Sequence, residues 1–259
     1  MSEPRSDGQV ALVTGSSRGI GRATVRLLAE RGADVVVHYR RDAAEAEAAA
    51  REARELGRRA LVVRADLAAE DEVRAMMRVV ERELGHLDVL VANAASTAFK
   101  PLLDAQPHNV ALTMQTVVHS ALLLVQGAVP LMAGRRGSIV TVSGIDTVRV
   151  MRGHGVLAAA KAALETLTRY LAVELAPHGI NVNAVLPGFV DTGSARTYAA
   201  GRYEGGYAEA VGEWVRRTPR GRVASPQEIA RVIAFLCSPD ADWIVGQVII
   251  ADGGWSLLE

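Results

Sequence analysis

A single cysteine, Cys237, occurs among the 259 residues, so no disulfide can form within one chain. It closes the apolar run Val232-Ile233-Ala234-Phe235-Leu236 and reads as a core thiol, not a ligand. Lysine is nearly as scarce. Of the 29 basic residues only Lys100 and Lys161 are lysine, a skew of coding bias that makes each retained lysine conspicuous. Formal net charge is zero and no basic tract occurs, so nucleic acid is not expected as a partner, and polyanion binding has no support beyond the fold's own phosphate site. No apolar run reaches the ~18 residues a membrane span requires, and residues 1–8 are polar where a signal peptide would be apolar. The expectation is a cytoplasmic protein with no membrane contact, a flexible tail over 1–8 and one domain over 9–259. With 49% of its residues hydrophobic, a chain of this length buries one large core.

The chain is organised around Val10-Ala11-Leu12-Val13-Thr14-Gly15-Ser16-Ser17-Arg18-Gly19-Ile20-Gly21. A short apolar run reads as a buried strand, breaks into glycines and serines, and resumes with helical spacing from Arg22 to Glu30. At such a strand–turn–helix junction, unpaired backbone N–H groups meet the positive end of the helix dipole, and a phosphate is the natural occupant. Gly15 allows the turn, Gly19 lets a pyrophosphate approach, and Gly21 allows close packing of helix on strand. A tight turn that binds nothing would look the same in isolation. About twenty residues on, however, Asp34-Val35-Val36-Val37-His38-Tyr39 ends where a dinucleotide fold places the side chain that reads the ribose.

Strands and helices then alternate with short connections, the pattern of a parallel sheet covered on both faces. Helices are expected over 42–56, 70–84, 155–176 and 226–237, with a longer helical region from about 104 to 132. Strands are expected over 59–64, 87–91, 138–142, 180–185 and 247–250. Residues 193–222 form a polar segment rich in glycine and arginine, with Tyr198, Tyr203, Tyr207 and Trp214 scattered through it. These aromatics suit a lid that packs on a flat or aromatic substrate, with Arg196 or Arg202 meeting an anion. They equally suit lid helices that merely pack down. The fold class is α/β: a single-domain Rossmann fold, a doubly wound parallel sheet of about seven strands with helices on both faces.

The spacing Thr14-Gly15-x-x-x-Gly19-x-Gly21 resembles the nucleotide turn of the short-chain dehydrogenase/reductase family, and further motifs extend the resemblance over about residues 8–254. Asp66-Leu67 looks like the pair that meets adenine, and Ala92-Asn93-Ala94-Ala95 falls where the family carries Asn-Asn-Ala-Gly. Asn183 to Thr192 matches the segment near the nicotinamide, with Pro187 and Gly188 inside it and Thr192 aligned to the carboxamide contact. Ala251-Asp252-Gly253-Gly254 matches the C-terminal signature. The resemblance is to ketoreductases of the 3-oxoacyl-carrier-protein-reductase type. It implies a dinucleotide held by Gly15, Ser17, Arg18, Gly19, Ile20, Gly21, Tyr39, Asp66, Leu67, Asn93, Ala94, Lys161, Pro187, Gly188 and Thr192. Members that bind NAD place a carboxylate at the end of the second strand. Here that position is Tyr39, followed by Arg40 and Arg41, and guanidinium groups suit a 2′-phosphate, which favours NADP(H). Asp42 belongs to the start of the next helix.

The catalytic positions depart from the family's pattern. Its reductases use a tyrosine as proton donor, a lysine one helical turn later, a serine that holds the substrate oxygen, and an asparagine that sustains a water chain. Lys161 is in place, but the tyrosine, serine and asparagine positions carry Leu157, Gly144 and Val117. None of the three has an exchangeable side-chain proton, and losing a general acid costs ~10²–10⁴ in rate. These replacements suggest an unusually apolar pocket. Two substitutes are nearby. His154 lies seven residues before Lys161, the offset at which the family's enoyl reductases carry their tyrosine, and histidine exchanges protons near neutral pH. Asp146 follows Gly144 by two, and in an apolar cleft its carboxyl would be pushed towards the protonated form. Both would otherwise be solvated loop residues. His119 is a further candidate, whereas His38, His86, His108 and His178 look like ordinary strand-end, turn or surface residues.

Three readings follow. One is an NADP(H)-dependent carbonyl oxidoreductase with displaced or substrate-supplied proton transfer, Lys161 holding the nicotinamide ribose and His154 or Asp146 as the candidate acid, acting on a small molecule that is bulky or aromatic. Another is a redox-neutral cyclase, isomerase, dehydratase or aldol-type enzyme using the same cleft. The third is a non-catalytic partner subunit. The family's habit of pairing long helices and C-terminal strands implies a homotetramer or homodimer, or a hetero-oligomer for a degenerate subunit. No metal site is expected.

Overall fold

A computed structural model describes residues 6–258. Seven parallel strands run in the order β3-β2-β1-β4-β5-β6-β7. They are β1 (Val10–Val13), β2 (Asp34–Tyr39), β3 (Ala60–Arg64), β4 (Val89–Ala92), β5 (Gly137–Val142), β6 (Ile180–Pro187) and β7 (Val248–Ala251). The order reverses between β1 and β4, so the connections leaving those strands diverge and open a crevice at their C-terminal ends.

Alternate residues of each strand feed two cores. Ala11, Val13, Val35 and Val37 pack with α1 (Gly19–Glu30), α2 (Ala43–Glu55) and α9 (Pro226–Leu236). Leu12, Val36, Leu90 and Ile139 pack with α3 (Glu70–Leu84), α5 (Ser120–Leu131) and α6 (Gly155–Leu175) on the opposite face. Cys237, in the first of these cores, is buried, and burial pushes its thiol up to about 12. As expected, it is inert packing.

The expected tail is anchored where the structure describes it. Ser6 donates its backbone N–H to Arg31 O at 2.7 Å, and residues 1–5 lie outside the described residues. The helical region expected over 104–132 is not uniform. A short 3₁₀ turn, Leu102–Asp104, precedes α4 (Pro107–Met114). A single π turn, Gln115–His119, then joins α4 to α5. Pro107–Leu131 is thereby one continuous helical run of 25 residues with mean hydropathy 1.4 over 18 of them, long and apolar enough to cross a membrane by length and composition. The expectation of no such run therefore fails on counting alone, because the few polar residues in this stretch are uncharged. Within the fold its apolar side packs on α3 and the sheet.

The polar segment after β6 folds into α7 (Gly193–Ala200) and α8 (Gly206–Arg216). Their side chains build a separate cluster over the C-terminal end of the sheet, in which Phe189 and Trp214 stack at 4.3 Å.

Candidate active site

The crevice at the switch point is a cavity of about 590 Å³. One end is made by the turn after β1. Gly15 has φ +65°, and a Cβ there would come within 3.1 Å of Ala94 Cβ. A Cβ on Gly21 would lie 2.5 Å from Gly15 O, so this glycine lets α1 press onto the turn. Arg18 precedes α1 but its side chain does not cap the helix, and the first turn carries no acidic residue. The N-terminal N–H groups of α1 therefore remain available to an anion.

Ser17, Arg18, Gly19, Ile20, Tyr39, Arg40, Arg41, Asp66, Leu67, Asn93, Ala94, Lys161, Pro187 and Thr192 line this cavity together with Gly15. Gly21 and Gly188 stand behind the lining; a Cβ on Gly188 would collide with Asp252 Cα at 2.7 Å. Arg40 sits 4.0 Å from Asp66, and Arg41 is exposed with no carboxylate within that distance among the described residues. Arg18 leans instead towards Gly193 at the start of α7. Asp42 accepts from Glu45 N at 3.1 Å and is spent as the cap of α2.

Several lining residues escaped the sequence reading. His38 is not an ordinary strand-end residue. It is 2% exposed, accepts Gly15 N–H on Nδ1 at 2.9 Å and places Nε2 3.0 Å from Ala65 O. The second contact requires a proton on Nε2, so the first fixes the neutral tautomer with Nδ1 as acceptor. Burial lowers its pKa, only partly offset by the bond to Ala65 and by Asp66. One imidazole thus ties the glycine turn to the loop that begins Asp66-Leu67. The hint in the sequence was a histidine amid a run of valines.

The catalytic end is built from the C-terminus of β5 and the start of α6. Lys161 is fully within the protein and donates from Nζ to Val142 O. Burial pulls its pKa down to about 8, against the opposing fields of Asp146 and Glu165. Ser143 does line the cavity, but its hydroxyl donates to Glu165. Val117 is buried with Ala92, Ala121, Ala160 and Leu164, and Leu157 packs against that cluster. Both hydrocarbon replacements belong with this small apolar cluster, and neither lines the crevice. Thr116, turned by the π segment, lines it instead, and its buried Oγ1 has no partner among the described residues. His119 is exposed.

Asp146 and His154 are brought together. His154 Nδ1 lies 2.9 Å from Asp146 Oδ2, with side chains 12% and 4% exposed. Neither is a solvated loop residue. The second carboxylate oxygen, Oδ1, lies 2.6 Å from the position a Cβ on Gly144 would take, so the carboxylate occupies the room that a side chain there would need. Oδ1 and His154 Nε2 are both buried without a partner among the described residues. The imidazole is held by Phe99 at 4.7 Å and edge-on by Tyr198 at 4.5 Å. Tyr198 therefore reaches the candidate site, whereas Trp214 stacks within the lid and the hydroxyl of Tyr207 donates to Asp191.

The chain is similar to known reductases and dehydrogenases over almost its whole length. The family described as enoyl-(acyl carrier protein) reductase matches residues 15–256. The chain is 38% identical over 250 residues to a 1-cyclohexenylcarbonyl-CoA reductase of Streptomyces collinus, covering 96% of this chain and 88% of that one. It is 41% identical over 251 residues to a cis-4-hydroxycyclohexanecarboxylate dehydrogenase of Sinomonas cyclohexanicum, covering 96% of each. The structure of L-sorbose reductase from Gluconobacter frateurii, complexed with NADPH and L-sorbose, superposes with a TM-score of 0.92 at 31% identity, covering 98% of this chain and 99% of that one.

Proposed function

The chain belongs to the short-chain dehydrogenase/reductase family, and from that premise we propose that it is an NADP(H)-dependent reductase of cyclic carbonyl compounds in which His154, oriented by Asp146, delivers the proton. The observation that carries this reading is the buried His154–Asp146 pair beside Lys161, with its outer nitrogen unspent.

The residues present fit the cofactor. The glycine turn leaves backbone N–H groups for a pyrophosphate, Arg40 and Arg41 suit a 2′-phosphate, and Asp66-Leu67 and Asn93-Ala94 line the walls between. When bound, the cofactor supplies a hydride to the substrate carbon. Lys161 contributes a positive charge at the ribose end. Asp146 accepts from Nδ1–H and so fixes the ring, and Nε2, the nitrogen left without a partner among the described residues, carries the proton that is delivered. His154 Nε2 then gives its proton to the substrate oxygen while the carbon receives the hydride, which yields an alcohol. Asp146 holds the ring in place through that transfer, and solvent returns the proton afterwards. Phe99 and Tyr198 pack against the imidazole and hold its orientation.

NADPH oxidation with a panel of cyclic ketones, followed at 340 nm, tests the reading. Turnover that is lost in His154→Gln supports it, and wild-type inactivity on the whole panel overturns it. The relatives act on cyclohexane-derived acids and thioesters by name, which supports a cyclic substrate here. The reading further includes a cytoplasmic location, α7 and α8 with their flanking loops (193–222) as the substrate lid, and a homotetramer or homodimer.

A further inference from the structure

We propose that Arg202, with Arg152 beside it, forms an anion subsite next to the His154–Asp146 pair, and that the substrate carries a carboxylate group. This rests on the reading of that pair as the place of reduction.

Arg202 follows α7, in the turn before α8. Its guanidinium points end-on at the chain at Gly153: a Cβ there would fall 1.6 Å from Nη2 and 2.8 Å from Cζ. Gly153 also has φ +78°, so it is glycine on two counts, conformation and room for the guanidinium. Gly153 is the residue between Arg152 and His154. The same guanidinium stands with Cζ 5.9 Å from the centre of the Tyr198 ring, and that ring is 4.5 Å from the imidazole. The Tyr198 hydroxyl donates to the Arg152 carbonyl at 3.3 Å. One tyrosine therefore has the imidazole and the guanidinium as neighbours, and Arg152 joins the same turn.

The charges around this turn are unbalanced. Arg196, Arg217 and Arg222 of the lid each have a carboxylate partner, at 2.8, 3.8 and 2.7 Å. Arg202 is half-buried, yet neither it nor Arg152 has a carboxylate within 4 Å among the described residues. Asp146, the acid nearest to Arg152 in the chain, is buried and engaged with His154, and Glu204, two residues from Arg202, is exposed and makes no ion pair among the described residues. A planar guanidinium with its donors unspent is suited to a carboxylate, which it holds with paired, charge-assisted hydrogen bonds. Of the two arginines singled out in the sequence as candidate anion contacts, Arg196 is neutralised by Asp191 and stacks on Tyr207 at 4.4 Å, which leaves Arg202.

Calorimetric titration of the full chain, saturated with NADP, with 2-naphthoate and with 2-naphthamide tests this without turnover. The carboxylate should bind ~10-fold more tightly than the amide, as a charge-assisted contact does relative to a neutral one. Arg202→Gln should erase the difference while NADP affinity stays unchanged, and Arg196→Gln should leave it intact. In the wild type the naphthoate affinity alone should fall as salt is raised from 50 to 500 mM, a readout that survives even if Arg202→Gln fails to fold. Equal affinities for acid and amide, binding of neither, or a preference that persists in Arg202→Gln would overturn the subsite. A lack of NADPH oxidation with ketones would strike the reductase reading and leave this binding difference standing.

Discussion

His154 Nδ1 and Asp146 Oδ2 lie 2.9 Å apart inside the protein, and the other nitrogen of the ring is buried without a partner among the described residues. A pair so arranged has one nitrogen committed and one free, the division of labour that a proton donor needs. His154→Gln should therefore lower kcat/KM for a ketone by ~10²–10⁴. Its NADPH affinity, measured by fluorescence, should stay within about twofold, because neither residue lines the cofactor cavity. Asp146→Asn leaves the ring in place but replaces the carboxylate that accepts from Nδ1–H, so kcat should fall while KM and NADPH affinity hold. An unchanged kcat would remove Asp146 from the mechanism.

His38 makes cofactor binding sensitive to acid. Protonation would put an N–H on Nδ1 facing the Gly15 N–H it now accepts. Burial depresses its folded-state pKa, so the neutral form is the stabilising one. Its contribution is complete above the unfolded value of about 6.5 and is lost as pH falls through the depressed folded value. Melting temperature should decline as pH falls below about 6.5, and NADPH affinity only at lower pH, where the folded protein itself takes up the proton. His38→Asn, which keeps an acceptor near Gly15 N, should flatten the decline in affinity.

Arg40 and Arg41 sit where a carboxylate would select the ribose hydroxyls. Replacing both with alanine should weaken NADPH by ~10–100-fold, the worth of one or two charge-assisted hydrogen bonds. NADH should change little. Parallel loss of both cofactors would assign the arginines to stability, not to the 2′-phosphate.

The sheet was legible because parallel strands buried on both faces write themselves as runs of valine and leucine, as in Val35-Val36-Val37. Helix ends were equally plain where a chemical signal marks them, Asp42 capping α2 and Gly85 closing α3 in the left-handed conformation. The crevice followed from the glycine spacing, since backbone geometry leaves its trace in which residues lack a Cβ. What stayed hidden depends on side-chain direction across long sequence separations. Nothing local says that Val117 and Leu157 pack against the same small core, or that a π turn brings Thr116 into the crevice. His38 bonds residues 23 and 27 positions away, beyond any helical or strand period. The approach of Asp146 to His154 was open in the sequence as two separate candidates and became a pair only with the turn at Gly153.

The same contact decides what happens when the family's usual groups are put back. Gly144→Ser adds a Cβ 2.6 Å from Asp146 Oδ1, below any normal contact, and Leu157→Tyr must expand a position packed beside Val117 and Leu164. Overpacking of this kind costs ~1–3 kcal/mol per site, so the double variant should melt several degrees below the wild type and show no gain in ketone reduction. Adding Asp146→Ala removes the oxygen that stands in the way of the serine. The triple variant should regain part of the lost stability, and if tyrosine then reaches the crevice its activity should no longer depend on His154. The outcome is read by crossing the triple variant with His154→Gln. Continued dependence on His154 would show that tyrosine and serine have not taken over proton delivery. Full activity in the double variant alone would mean that the Asp146 carboxylate moves aside freely, and that the close approach at Gly144 does not govern the site.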